Sequence, residues 1–182
     1  MVKTYPVPCS KEEMDKLLSA SGEDDFCYMF FYVAKTTGRR LGEYYDVKFQ
    51  DVDLEKGIMM TKVLKRRKRV EKEAILNDEA VRLIKQYSIR NKLNLNDYLF
   101  RKLGMRQIQN KVKVYSKKAG IIHNVSFHNF RHYFITELKR KGYSYDEIAK
   151  LTGHSSIETI ACYDHVIASD LKEQVKGDIN DL

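Results

Sequence analysis

The stretch FHNFRHYFITELKR, residues 127–140, carries the pattern on which the fold turns. Phe127, Phe130, Phe134 and Leu138 recur at spacings of three, four and four. That is the period of one helix face, so the spacing predicts a helix from about His128 to Arg140, with Gly142 as its C-terminal signal. On such a helix His128 and Arg131 lie three residues apart and His132 lies four from His128, so all three project from one side, beside the apolar stripe. The result is a cationic edge. Taken alone, His-x-x-Arg-His also describes a satisfied surface cluster, and the neighbouring segments must discriminate.

Upstream, Ser10 and Glu13 have the spacing of a capping box, which starts a short acidic helix that runs to about Ala20. Asp24-Asp25 then leads an apolar run, Phe26 to Ala34, that is too evenly apolar for a half-exposed strand. It reads as a buried helix with Gly38 near its C-terminus. Three strands are expected next, at Val47–Asp53, Gly57–Val63 and Arg69–Leu76, with a basic turn between the last two. Asn77 can cap a helix that places Ala80, Val81, Ile84 and Tyr87 on one face, and a basic helix is expected from Gly104 to Lys118. Beyond Arg140, short helices are expected at Tyr145–Leu151, Ser155–Ile160 and His165–Val175. The class is α+β, a mostly helical domain around a small three-stranded antiparallel sheet. With two prolines, no repeat and no low-complexity stretch, no internal linker is expected, and residues 1–182 read as a single domain.

Of the 182 residues, 43% are hydrophobic and 32% charged, a balance that excludes a disordered tail and a membrane-embedded chain. The longest apolar run falls short of the roughly 20 residues of a spanning helix, and no signal peptide is legible at the amino terminus, so a cytoplasmic location is expected. Three scattered cysteines, Cys9, Cys27 and Cys162, argue against a disulfide framework and against a zinc cluster. The net charge of +8 is unevenly placed. Arg101 to Lys118 holds seven bases and no acid, and six of the eight residues from Lys62 to Arg69 are basic. A polyanion is the natural partner, with nucleic acid ahead of an anionic membrane surface.

Three further segments complete the pattern: Thr37-Gly38-Arg39-Arg40-Leu41-Gly42-Glu43, then Leu151-Thr152-Gly153-His154-Ser155-Ser156, then Tyr163 nine residues past His154. Together with His128-x-x-Arg131-His132 they resemble the catalytic domain of the tyrosine recombinase (phage integrase) family, over about residues 10 to 175. The resemblance implies that Arg40 is the first catalytic arginine and Glu43 the acidic residue that supports it. It makes His128 and Arg131 the second box, His154 the third and Tyr163 the nucleophile. Asn77-Asp78-Glu79-Ala80 after Ile75-Leu76 also resembles the family's helix start after its third strand, although Ile75 stands where a proline is usual. The family's hairpin lysine is matched by Lys62, at the end of the apolar strand Ile58-Met59-Met60, with Lys65 inside the turn as the second choice. The helical DNA-gripping domain that usually comes before this one is not legible here, so the chain reads either as a catalytic fragment or as a minimal protein.

The same residues make chemical sense without a family. A phosphodiester is an anion that gains charge as a fifth oxygen approaches phosphorus, and Arg40 and Arg131 can each offer a planar fork of donors to that charge. His128 and His154 can donate to the same oxygens, and His128 can take the phenolic proton of Tyr163, whose ordinary pKa near ~10 leaves it a weak nucleophile. Attack would give a covalent 3′-phosphotyrosine and expel a deoxyribose hydroxyl, which Lys62 can protonate. A second strand can then rejoin the backbone without ATP, so no cofactor and no metal are expected. The predicted activity is site-specific DNA recombination, integration of a viral genome included.

Double-stranded DNA is the expected partner. Lys65, Arg66, Arg67, Lys68 and Arg69, together with Arg101, Lys102, Arg106, Lys111 and Lys113, are the candidate phosphate contacts. The acidic segment 165–182, amphipathic around Ile167, Leu171 and Val175, is expected to dock on its own domain or on a neighbouring copy, so self-association on DNA is expected too. A rival reading takes Tyr145 to Ile160 as a helix-turn-helix of a non-catalytic DNA-binding protein. It leaves Arg40, His128, Arg131 and Tyr163 unexplained. DNA affinity should fall steeply as salt is raised across the physiological range, with log K linear in log salt at a slope of about −0.9 per phosphate contact. A flat response in a filter-binding titration would remove the two basic segments from the DNA surface.

Overall fold

The apolar run becomes the central helix, Asp25–Thr37 (α2), which follows a first helix at Lys11–Ala20 (α1). Asp24 caps α2 by accepting the Cys27 amide at 3.1 Å, and Gly38 ends it in the left-handed region at φ +60°. Phe26, Cys27, Met29, Phe30, Phe31, Val33 and Ala34 are all buried, so only a helix covered on nearly every side could hold this sequence. The computed structural model describes residues 8–65, 68–154, 158–161 and 164, with 63–65, 68, 69, 158 and 159 as backbone alone.

After α2 come a one-turn helix at Leu41–Tyr44 (α3), a 3-10 turn at Phe49–Asp51, and strands Val52–Asp53 (β1), Ile58–Lys65 (β2) and Lys68–Ile75 (β3). The sheet is antiparallel in the order β1-β2-β3, with Val52 opposite Met59 and Met60 opposite Glu73. Helices Asp78–Arg90 (α4), Met105–Lys118 (α5), His128–Arg140 (α6), Tyr145–Thr152 (α7) and Glu158–Ala161 (α8) follow. Among the described residues, no helix is long and apolar enough to cross a membrane.

The first expected strand, Val47–Asp53, shrinks to two residues. Asp51 accepts the Lys48 amide at 2.9 Å, and Asp53 accepts the amides of Glu55 and Lys56. Short acidic side chains that bond nearby backbone favour turns over strand pairing, so both aspartates cap turns instead of alternating along a solvated edge. The helix expected at Ser155–Ile160 is described only as α8, and that expected at His165–Val175 lies outside the described residues, as does the whole 165–182 segment.

Two cores meet on α6. Its N-terminal half packs on α2, where Phe30 lies 5.2 Å from Phe127 and Phe31 lies 5.2 Å from Phe130, ring centre to ring centre. Phe100 and Tyr44 close this aromatic cluster. Further along α6, Ile135 turns away to meet Ile148 of α7 and Ile160 of α8 in a smaller core. The α2–α6 seam is tight at Gly38, where a side-chain carbon would overlap the Phe134 ring. Gly38→Ala combines that overlap with a positive φ, and it should cost roughly 2–4 kcal/mol in urea unfolding. A loss below about 0.5 kcal/mol, the usual range of a neutral surface change, would contradict this packing.

Candidate active site

Arg131 is 1% exposed, and its guanidinium joins α6 to two distant segments, one at Gly38 and one at Thr152–His154. Nη1 donates to the Gly38 carbonyl at 2.9 Å and to the Thr152 carbonyl at 2.8 Å, while Nη2 reaches the His154 ring at 3.0 Å. Both carbonyls belong to helix C-termini. Gly38 ends α2 and Gly153, at φ +72°, ends α7 just after Thr152. Such ends leave acceptors without helical partners and carry partial negative charge, so they suit a buried cation.

Arg40 stands on the same α2–α3 connection with a side chain 45% exposed. Its Nη1 donates to Glu43 Oε1 at 3.0 Å, and Glu43 Oε2 accepts the Arg40 amide at 3.2 Å. Glu43 is buried, so it acts as a fixed brace that aims an exposed guanidinium. Its neighbour Arg39, which the sequence did not distinguish, is buried at 1% exposure and donates through Nη2 to the Glu73 carbonyl of β3. Arg39 thereby ties the Arg40 loop to the β2–β3 hairpin. Thr37, Tyr44 and the Arg39 amide extend the same bracing: the Tyr44 hydroxyl lies 2.7 Å from Thr37 Oγ1 and accepts the Arg39 amide at 3.1 Å.

The three histidines around Arg131 are all held toward the neutral form. Burial, followed by the charges of Arg131 and Arg40, lowers His154 to about 3. Burial, then His128 and Arg131, lowers His132 to about 4. His128, exposed on the first turn of α6, is lowered in the same direction by desolvation, then by Arg131 and Arg40. The His128 and His132 rings meet edge to face at 4.4 Å. Thr152 restrains the His154 ring. Its hydroxyl donates to the Ile148 carbonyl at 2.6 Å, so toward His154 Nδ1, also at 2.6 Å, it can only accept. Arg131 Nη2 lies 3.0 Å from both nitrogens of the same ring.

Arg40, Glu43, His128, Arg131 and His154 are thus brought to one place. Lys62 lies on β2 opposite Glu71, on the hairpin that Arg39 grips, and has no hydrogen bond or ion pair among the described residues. Tyr163 lies outside the described residues. Its neighbour Asp164 accepts from Lys139 and Tyr145, and Ile160 is fully buried, so the chain on both sides of position 163 is anchored to α6 and α7. Arg66 and Arg67 also fall outside the described residues, and Lys65, Lys68 and Arg69 are described as backbone only. Lys102, Arg106 and Lys113 are exposed on or just before α5. Arg101 is committed to Asp46 at 2.7 Å, and Lys111 to Asp24 at 2.8 Å. Among the described residues the second helix of the rival helix-turn-helix is α8, and the Thr152 carbonyl at its Gly153 turn accepts from Arg131.

The model of the phage integrase family matches residues 9–169. The chain belongs to that family. Among curated relatives, this integrase-family chain is 30% identical over 183 residues to the tyrosine recombinase XerA of Pyrococcus furiosus. It is 29% identical over 193 residues to the XerC of Thermodesulfovibrio yellowstonii. In both cases 96% of the chain is covered and it spans 62% of the relative's length. The crystal structure of XerA recombinase superposes with a TM-score of 0.81 at 30% identity, covering 98% of this chain and 65% of that one. A XerH recombinase bound to its difH substrate shares the fold, with a TM-score of 0.79 at 23% identity over 94% of this chain and 53% of that one.

Because His132 is lowered from 6.5 to about 4 by folding, the unfolded chain binds more protons between those values, and stability must rise with pH across that window. Acidification from pH 7 to pH 4.5 should therefore lower the urea midpoint. The drop should be smaller in His132→Gln, and equal drops in the two proteins would show that burial of this imidazole contributes nothing to the acid response.

Proposed function

We propose that this chain is the catalytic domain of a site-specific DNA recombinase that cuts and rejoins strands through a phosphotyrosine. The observation that carries the proposal is the convergence of Arg40 and Arg131 beside two neutral imidazoles at the junction of α2, α6 and α7. Two planar guanidinium groups supply the fork geometry that a pentacoordinate phosphorane needs. Arg40, braced by Glu43, presents an exposed face to the duplex, while Arg131 supplies the buried half of the clamp. A phosphate oxygen that takes up the Nη2 donor of Arg131 also meets the His154 ring beside it.

In the cleavage step Tyr163 Oη bonds to phosphorus and the bond to the 5′ oxygen breaks. The phenolic proton passes to His128, which is suited to receive it because desolvation, and then its cationic neighbours Arg131 and Arg40, keep it neutral near pH 7. Lys62 gives a proton to the leaving hydroxyl, and Arg39 holds the strand pair on which that lysine rides. In rejoining, another strand's 5′ hydroxyl attacks the phosphotyrosine and the protons return. The phosphoester bond energy is kept throughout. Lys102, Arg106 and Lys113 form the phosphate-gripping face of α5, with the β2–β3 turn as a second grip, and the domain works as a set of copies on double-stranded DNA. Its place is the cytoplasm, at the nucleoid or, for a viral chain, on host DNA.

A nicked suicide duplex tests this directly. The native protein should form a covalent adduct that survives denaturing electrophoresis, and Tyr163→Phe should bind the same DNA without forming one. An adduct in both proteins would displace Tyr163 as nucleophile, and binding without an adduct in either would leave a DNA-binding domain that does not cut.

A further inference from the structure

We propose that Cys9, Glu13 and His123 form a binding site for one zinc-class divalent cation, on the side of the domain where the chain enters α1. The three donors come from separate places: Cys9 just before the Ser10 N-cap, Glu13 in the first turn of α1, and His123 in the connection between α5 and α6. A thiol sulfur, a carboxylate oxygen and an imidazole nitrogen all lie within 4.8 Å of one another. A tetrahedral ion with bonds of about 2.0–2.3 Å holds its ligands roughly 3.5 Å apart, so closing the cluster takes a side-chain shift of about an ångström.

Several features prepare these residues for an ion. His123 Nε2 already lies 3.2 Å from Glu13 Oε2, and Glu13 is held in place by the capping box, in which Oε2 also accepts the Ser10 amide at 2.9 Å. Both contacts use Oε2, which leaves Oε1 to ligate. Cys9 is 3% exposed and hydrogen-bonds the Asn129 side chain. The Asn129 Oδ1 is occupied by the amide and hydroxyl of Ser126, so it is the amide N–H of Asn129 that faces the sulfur. A donor aimed at a ligand sulfur is the usual support for a metal-bound thiolate.

Charge favours the same ligand. A thiolate and a carboxylate neutralise a dication, so the filled site buries no net charge. On binding, the Cys9 S–H bond breaks, its proton leaves to solvent and a sulfur–metal bond forms, with no change in oxidation state. The sulfur and imidazole donors select zinc or a similar ion over magnesium or calcium, which take oxygen ligands. Three protein ligands leave a fourth position for water. The spacing of the cysteines gave no sign of this site, because the partners of Cys9 are a glutamate and a histidine brought in by tertiary folding. Its structural effect would be to join the start of α1 to the connection that leads into α6 and His128.

Tag-free protein stripped with a chelator and titrated with cobalt(II) reads the site without reference to DNA chemistry. The proposal expects one equivalent bound, with a near-ultraviolet thiolate-to-cobalt band that zinc abolishes by displacement and magnesium does not. Cys9→Ser should lose the band, and Cys27→Ala, which removes a buried thiol outside the cluster, should keep it. Zinc should also raise the melting temperature of the native protein but not that of His123→Gln. Absence of the thiolate band in the folded native chain would overturn the proposal even if Cys9→Ser fails to fold. So would its persistence in Cys9→Ser, or an equal zinc shift in native and His123→Gln proteins.

Discussion

Everything near the junction of α2, α6 and α7 depends on one buried guanidinium. The charge of Arg131 is excluded from water, and an unmatched cation there would be costly. It is matched by the carboxyl-terminal carbonyls of two helices, each a hydrogen bond to a charged group worth about 1.5–3 kcal/mol. The glycines that follow those helices in left-handed geometry make this arrangement available, because they stop α2 and α7 where their last carbonyls face α6. One side chain therefore both closes the fold and holds the His154 ring beside Arg40 and His128. Its loss would leave two helix ends unsatisfied.

The surrounding cations also determine what the histidines can do. His128, His132 and His154 share a small volume with Arg131 and Arg40, and a further positive charge there is unfavourable. Neutral imidazoles can accept a proton or orient a donor. Burial holds their proton affinity down first and repulsion adds to it, so an anion, which offsets the repulsion, makes them better hosts for positive charge. An arriving phosphate would thus alter the base strength of the groups that act on it.

Much of this was legible from local pattern. The phenylalanine stripe of α6, the evenly apolar α2 and the caps at Ser10 and Asn77 all act within a few residues, and the elements form where those signals place them. The strand expected at Val47–Asp53 failed for a reason equally local but easily overlooked: Asp51 and Asp53 compete with the ladder for backbone amides. The residues that chemistry needs were visible as motifs, yet the different fates of Arg39 and Arg40 were not. Adjacent arginines look alike in sequence, and only the tertiary position of Glu73 and Glu43 makes one a buried tie and the other an exposed, braced guanidinium. The role of Thr152 was hidden likewise, since a hydroxyl reveals which imidazole nitrogen it restrains only after the turn at Gly153 has been built.

The division of α6 between two cores sets an order of opening. The larger aromatic core holds α2, α4 and the first half of α6, whereas α7 and α8 rest on three isoleucines and a few half-buried neighbours. A patch that small resists fluctuations weakly, so α7 and α8 form a cooperative unit that can detach and return while the rest stays folded. Amide protons in α7 would then trade with deuterium long before those of α2.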